Sequence, residues 1–192
     1  MTPHIIGISG KTGAGKSTLA KALSQNLKAM LISWDDFDEI SLEPEDYIDW
    51  HHKGCNYSEF QRENLKMVLA NLKSKKEIIH PVLNTSLQPT KYIIFDAPLG
   101  RLHKQTGEYI DTCIHIEVPL DILLCRRILR DFADKLKTKE NLLEEINFYL
   151  NHSRPLFFDE DLKQKATIII DGLLSTESQL QIIKNFLNSK NK

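Results

Sequence analysis

One stretch constrains this chain more than any other. Gly10-Lys11-Thr12-Gly13-Ala14-Gly15-Lys16-Ser17 fits the pattern G-x-x-x-x-G-K-[ST], and its flanks are the ones that pattern needs. Upstream, Ile5-Ile6-Gly7-Ile8 reads as a buried strand. Downstream, Ser17-Thr18-Leu19-Ala20-Lys21-Ala22-Leu23 reads as the first turns of an amphipathic helix. Strand, glycine-rich turn and helix in that order let backbone N–H groups close around an anion at the positive end of a helix dipole. The residues from Gly10 to Thr18 are therefore candidate nucleotide contacts. The Lys16 ammonium adds to the hold on a triphosphate tail, and the Ser17 hydroxyl suits Mg²⁺. ATP with Mg²⁺ is the expected ligand pair.

A loop of this kind must be carried on a sheet, and the rest of the chain supplies one. Apolar, β-branched runs recur at Ile5 to Ser9, Met30 to Trp34, Tyr92 to Asp96, Cys113 to Val118 and Thr167 to Asp171. Between and after them, apolar residues return at three- and four-residue steps in Ser17 to Lys28, Tyr57 to Leu72, Leu120 to Lys135, Glu140 to Leu150 and Ser178 to Leu187, which predicts helices. Strands alternating with helices imply an α/β fold, with a mainly parallel five-stranded sheet covered on both faces. At 192 residues one domain is expected. The weakly patterned stretch of about 38–57 reads as an insertion above the strand ends, and about 126–140 as a helical lid.

Bulk charge narrows the partners. A formal net charge of -1 gives no general pull toward nucleic acid or an anionic membrane. No window approaches the roughly 18 apolar residues of a membrane span, and the short apolar N-terminal stretch runs straight into the glycine-rich loop. Cys55, Cys113 and Cys125 are widely spaced and form no C-x-x-C pair, which favours a reducing compartment. A cytoplasmic protein, monomer or homo-oligomer, with a small-molecule partner is the expectation.

Ligands of a parallel open sheet bind beyond the carboxyl ends of its strands, and two of those ends are acidic. The second strand runs into Trp34-Asp35-Asp36-Phe37-Asp38, where Asp35 could accept the proton of an attacking hydroxyl. The third ends in Phe95-Asp96, the usual form of a carboxylate that holds Mg²⁺, and Asp36 is a further candidate ligand. Arg126 and Arg130 are four apart on a predicted helix and Arg127 can join them, giving guanidinium groups able to close over transferring phosphoryl oxygens. Trp50, Tyr47 and Tyr57 could stack on a substrate ring or pack a local cluster. His51, His52 and Cys55 lack a fourth ligand nearby, so zinc is not expected.

These pieces together resemble the uridine kinase and phosphoribulokinase-like group of P-loop small-molecule kinases, which also includes the nicotinamide riboside kinases. Four segments match in order: Gly7-Ile8-Ser9-Gly10 into the loop, Ser33-Trp34-Asp35-Asp36-Phe37, Arg126-Arg127-Ile128-Leu129-Arg130-Asp131, and Arg154-Pro155 followed by Ala166-Thr167-Ile168-Ile169-Ile170. The resemblance implies a three-layer P-loop nucleoside triphosphate hydrolase fold. It further implies Asp35 as base toward a sugar hydroxyl, Lys16 and Ser17 in the loop roles, and Arg127 and Arg130 as lid arginines. On the acceptor side it suggests Asp49 and Arg154, which join Asp35, Trp50, Tyr57 and Arg101 as the candidate substrate contacts. The chain departs from the family where Phe132-Ala133-Asp134-Lys135-Leu136-Lys137 follows the Arg-Asp pair, and where Asp96-Ala97-Pro98-Leu99-Gly100-Arg101 replaces a glutamate-glycine.

The expected activity is ATP-dependent, Mg²⁺-assisted phosphoryl transfer to a hydroxyl of a small metabolite, most readily the 5′-hydroxyl of a nucleoside or riboside. The alternatives are a nucleotide-dependent regulatory ATPase without such an acceptor, and a catalytically dead nucleotide-binding module. Neither N-K-x-D nor L-S-G-G-Q occurs, which disfavours the best-known switches and transporter ATPases.

Overall fold

The computed structural model describes residues 2–133 and 137–190. Five strands form one parallel sheet: β1 (His4–Ser9), β2 (Met30–Ser33), β5 (Tyr92–Asp96), β6 (Thr112–Glu117) and β7 (Ile168–Asp171), in the order β2-β5-β1-β6-β7. All five lie where the apolar runs place them. Burial on both faces explains the continuous apolar runs, because successive side chains go to opposite cores. Ile5, Ile93 and Phe95 pack on one face with Leu65, Val68, Leu69 and Leu72, while Ile6, Ile8 and Ile94 pack on the other with Leu19, Leu23 and Ile183.

The first face is covered by α3 (Glu63–Lys73). The second is covered by α1 (Lys16–Leu27) and α8 (Thr176–Ser189), which also pack on each other. Above the strand ends lie α2 (Tyr47–His52), α5 (Leu120–Asp131) and the short α7 (Glu160–Lys165), and α6 (Lys139–Phe148) is tied to α5 by the Arg127–Glu145 ion pair. The predicted helix from Tyr57 to Leu72 is not continuous. A 3₁₀ turn spans Tyr57–Glu59, the chain then extends through Phe60, and the helix starts at Glu63. Gln61 and Leu42 exchange backbone hydrogen bonds of 2.8 and 3.1 Å, a bridge that a helical backbone at Gln61 could not make. The predicted helix from Leu120 ends at Asp131 rather than Lys135. Asp134, Lys135 and Leu136, part of the expected 126–140 lid, lie outside the described residues.

Besides α2 and α7, a hairpin and one further short helix have no counterpart in the sequence reading. A small hairpin pairs β3 (Ile78–Ile79) with β4 (Ser86–Leu87), and the four-residue α4 (Lys104–Gly107) precedes β6. Both are too short to show a hydrophobic period.

Candidate active site

The glycine-rich loop joins β1 to α1 at the centre of the sheet. Gly15 occupies the N-cap position with φ 95°, and no side chain caps the helix. The first-turn N–H groups of α1 therefore remain available to an anion. Gly13, also at positive φ, packs so closely on α5 that a Cβ there would stand 2.9 Å from the Leu123 carbonyl oxygen. That close approach brings α5 over the loop. Lys16 donates to the Lys11 carbonyl at 3.2 Å, and burial pulls its ammonium pKa down, partly opposed by Asp96 and Asp35.

Register fixes the carboxylates. Asp96, the last residue of β5, pairs with Ile8 of β1 on one side and Ser33 of β2 on the other. It is 5% exposed, and its Oδ1 has no hydrogen-bond partner. Burial pushes its carboxyl above the usual range, while the donating Ser17 hydroxyl and the Lys16 ammonium pull it back. A buried carboxylate oxygen without a donor, beside a hydroxyl at a helix N-terminus, is a suitable donor set for a small hard cation, so Ser17 and Asp96 fit Mg²⁺.

Asp35 opens a 3₁₀ helix, Asp35–Ile40, in which residues three apart share a face. Asp35 and Asp38 accordingly both face the site. Asp36 does not: its carboxylate lies 4.0 Å from His80, away from Ser17, so the structure does not bring this expected metal ligand to the loop.

The arginines of α5 divide by helical phase. Arg126 and Arg130, one turn apart, line the cleft over Gly13, Gly15, Lys16 and Ser17. Arg126 also donates to the Gly172 carbonyl at 3.1 Å, and Arg130 to Asp131 at 2.7 Å. Arg127 faces another way. It pairs with Glu145 of α6, and its guanidinium carbon stands 5.0 Å from the Phe157 ring centroid and 5.8 Å from that of Tyr149. Of the three expected arginines, Arg126 and Arg130 line the cleft and Arg127 does not.

Two cavities meet at the loop. The cleft over the glycines measures about 440 Å³. Next to it a larger cavity of about 530 Å³ is lined by Trp34, Tyr47, Trp50, Tyr57 and Phe60. Thr12, Lys16, Asp35 and Pro98 belong to both. The aromatic wall is held by edge contacts, with Trp50 centred 5.3 Å from Tyr57 and 5.5 Å from Phe60. Asp46 caps α2 by accepting from the Ile48 and Asp49 amides, and Trp50 Nε1 donates to the Asn56 carbonyl at 3.0 Å. The insertion above the strands is thus a built wall. Asp159 closes the far side. Burial would raise its pKa, but hydrogen bonds from the buried His115 at 2.9 Å and from Lys163 leave it below the ordinary carboxylate range.

Three expected acceptor contacts lie outside both cavities. Asp49 pairs with Lys53 at 2.5 Å on the outer face of α2. Arg154 lies over Phe158, 5.3 Å from its ring centroid. Arg101 serves the fold, donating to the carbonyls of Ile110, Asp111 and Lys165. Sequence reasoning missed Asp38, Glu43, Phe60 and Asp159 in the cavity wall and Arg62 behind it. Only Asp38 carried a signal, its three-residue step from Asp35.

A phosphate cleft that opens onto a second cavity large enough for a metabolite, with one lysine and one aspartate common to both, is the arrangement of a P-loop small-molecule kinase. The comparisons agree. Residues 6–148 match the AAA domain family AAA_18, and the chain belongs to that family. The uridine kinase of Clostridium tetani (strain Massachusetts / E88) is 29% identical over 183 residues, spanning 88% of this chain and 86% of that protein. The uridine kinase of Borrelia garinii subsp. bavariensis is 29% identical over 205 residues, spanning 98% and 96%. Among solved structures, shikimate kinase from Acinetobacter baumannii in complex with shikimate aligns with a TM-score of 0.51 at 15% identity, covering 100% of this chain and 97% of that one. That last likeness bears on the fold. The chain is a nucleotide-using kinase that transfers a phosphoryl group to a small metabolite.

Proposed function

We propose that the donor is ATP with Mg²⁺ and that the acceptor is the 5′-hydroxyl of a nucleoside or related riboside. The observation that carries this reading is the sharing of Lys16 and Asp35 by the phosphate cleft and the aromatic cavity. A γ-phosphoryl held by Lys16 and the loop amides lies at that junction, and an alcohol seated among Trp34, Trp50 and Tyr57 presents its hydroxyl to Asp35. Asp35 takes the hydroxyl proton as the oxygen attacks phosphorus in line; the new O–P bond forms as the bond to the β-phosphate oxygen breaks, and ADP leaves. Ser17 and Asp96 would hold Mg²⁺, which when bound offsets phosphate charge. Arg126 and Arg130 stabilise charge on the moving phosphoryl oxygens.

The aromatic wall supports a planar base as part of the acceptor, since offset or edge-on ring contacts add to area burial. The 29% identity to uridine kinases over most of the chain points the same way. The chain acts as one domain in this reading, and its three free cysteines suit the cytoplasm. Among the described residues no helix is long and apolar enough to cross a membrane.

A panel of nucleosides, ribosides and sugar alcohols, assayed for acceptor-stimulated ADP release with Lys16→Ala as control, tests the proposal. Stimulation by at least one nucleoside or riboside is expected. ADP release that no acceptor accelerates would contradict it and favour a regulatory ATPase.

A further inference from the structure

Arg62 is the largest side chain that is fully enclosed, and the mechanism above does not use it. It lies where the expected helix is broken. The bridge between Gln61 and Leu42 holds the backbone extended, and the Arg62 side chain turns inward under the aromatic wall. Its Nη1 donates to Asp38 Oδ1 at 2.6 Å and its Nη2 to Glu43 Oε2 at 3.1 Å, and its guanidinium carbon stands 4.5 Å from the Trp34 ring centroid. Trp34, Asp38 and Glu43 all line the aromatic cavity. The arginine side chain is 0% exposed, whereas the two carboxylates are 52% and 47% exposed. The buried cation therefore acts on the cavity chiefly through one indole and two carboxylates.

A stability role alone accounts poorly for this arrangement. Burying a guanidinium carries a large desolvation cost, and an apolar residue of similar volume generally serves a core as well or better. Here Nε is also left buried without a partner. What the arginine does supply is placement: a planar fork holds two carboxylates in fixed positions, which a lysine cannot do. Two carboxylates against one guanidinium leave a net negative charge on this wall, and Asp35 adds to it. The opposite rim, Asp159 to Asp161, is acidic as well. The cations lining this cavity, Lys11 and Lys16, belong to the phosphate loop. The cavity is thus positive at its phosphate end and negative around the place of the acceptor.

Resting on the acceptor reading of this cavity, we infer that Asp38 and Glu43, held by Arg62, form a charge-selective wall that admits uncharged or cationic acceptors and rejects acceptors bearing phosphate or carboxylate. The carboxylates accept hydrogen bonds from hydroxyl or amino groups of the acceptor. An anionic substituent there meets like charge, and the nearby Tyr47 hydroxyl is already engaged with Glu43; this is discrimination by an unfavourable contact. Arg62 is a positioning residue that acts through the two carboxylates.

The test uses matched pairs that share the reacting hydroxyl: nucleosides with their 3′-monophosphates, and ribitol with ribonate. The wild-type protein is expected to turn over one or more uncharged members at least about tenfold better in kcat/KM than the anionic partners. Asp38→Asn and Glu43→Gln should raise the acceptor KM about tenfold, with a much smaller change in kcat, and narrow the discrimination to within about threefold. KM for ATP should hold. Arg62→Lys should show the same signature in weaker form; because that variant could also lose stability, the two rim variants carry the test independently. Equal or better use of the anionic members by the wild type would overturn the wall. So would rim variants with unchanged acceptor KM and unchanged discrimination. If no acceptor in the panel stimulates the wild type, the phosphotransfer reading itself fails and the wall with it, a result distinct from turnover without discrimination.

Discussion

The two halves of the site are built in opposite ways. The phosphate half is main chain: consecutive residues from Gly10 to Thr18, three of them glycines at positive φ, turned around the uncapped start of one helix. The acceptor half is side chain, drawn from Trp34, Asp38, Glu43, Trp50, Phe60 and Asp159, which are far apart in sequence and are set by a 3₁₀ turn, a capped short helix and a backbone bridge. Main-chain recognition of phosphate is indifferent to what is being phosphorylated. Side-chain recognition can be rewritten without disturbing the sheet. The contrast predicts that substitutions in the first half abolish transfer for every acceptor, whereas those in the second change which acceptor is used.

The largest effect expected is at Lys16, the cation common to both cavities. Lys16→Ala should lower kcat/KM on the order of 10³-fold for all acceptors alike, measured by initial rates. A loss confined to one acceptor would break the division between the halves.

Next is the arginine pair, where helix phase and the family resemblance disagree. Arg126→Ala should cost about 10–10²-fold in kcat with little change in stability. Arg127→Ala should keep most activity and lower thermal stability by about 1–2 kcal/mol, because its partners are the partly exposed Glu145 and the rings of Phe157 and Tyr149. Circular dichroism melts alongside kinetics separate the two outcomes.

Most of the donor half was legible in the sequence because its chemistry is local. A strand, a turn and a helix in succession fix where the amides of Gly10 to Ser17 point, and an apolar run closing on Asp96 fixes a carboxylate at a strand end. The five strands were legible for the same reason, since burial on both faces leaves an apolar run. Arg126 was half legible: its four-residue step from Arg130 put both on one helix face, and the alternative carried over by resemblance, Arg127, is the one that faces α6. The acceptor half was mostly opaque. Arg101, Asp49 and Arg154 are charged residues in loops or short turns, and nothing local distinguishes a ligand contact from a carbonyl strap, an ion pair with Lys53 or a contact with Phe158. Arg62 was hidden most completely, because an arginine inside the amphipathic run from Tyr57 to Leu72 reads as a solvated side chain until the long-range bridge of the preceding Gln61 to Leu42 turns it inward.

A subtler contrast is in pH. Burial raises the Asp96 carboxyl in the metal-free protein, and only its ionised form can hold a cation; on descending pH, the Mg²⁺ concentration needed for half-maximal activity should therefore rise before an ordinary aspartate would protonate. Burial lowers the Lys16 ammonium, and only its charged form pairs with phosphate, so on rising pH the apparent KM for ATP should climb earlier than for an ordinary lysine. Acceptor KM, set by the other half, should follow neither limb. Saturation curves for both substrates across pH check this, and parallel movement of the two KM values would contradict it.

The central claim is that the two halves meet at Asp35. Its most direct measurement is transfer of labelled γ-phosphate from ATP to the best acceptor by Asp35→Asn, with ATP binding by the same variant measured calorimetrically. The account predicts near-normal ATP affinity and transfer reduced about 10²–10⁴-fold, the range for removing a general base. Transfer at the wild-type rate, to the same hydroxyl of the same acceptor, would contradict it.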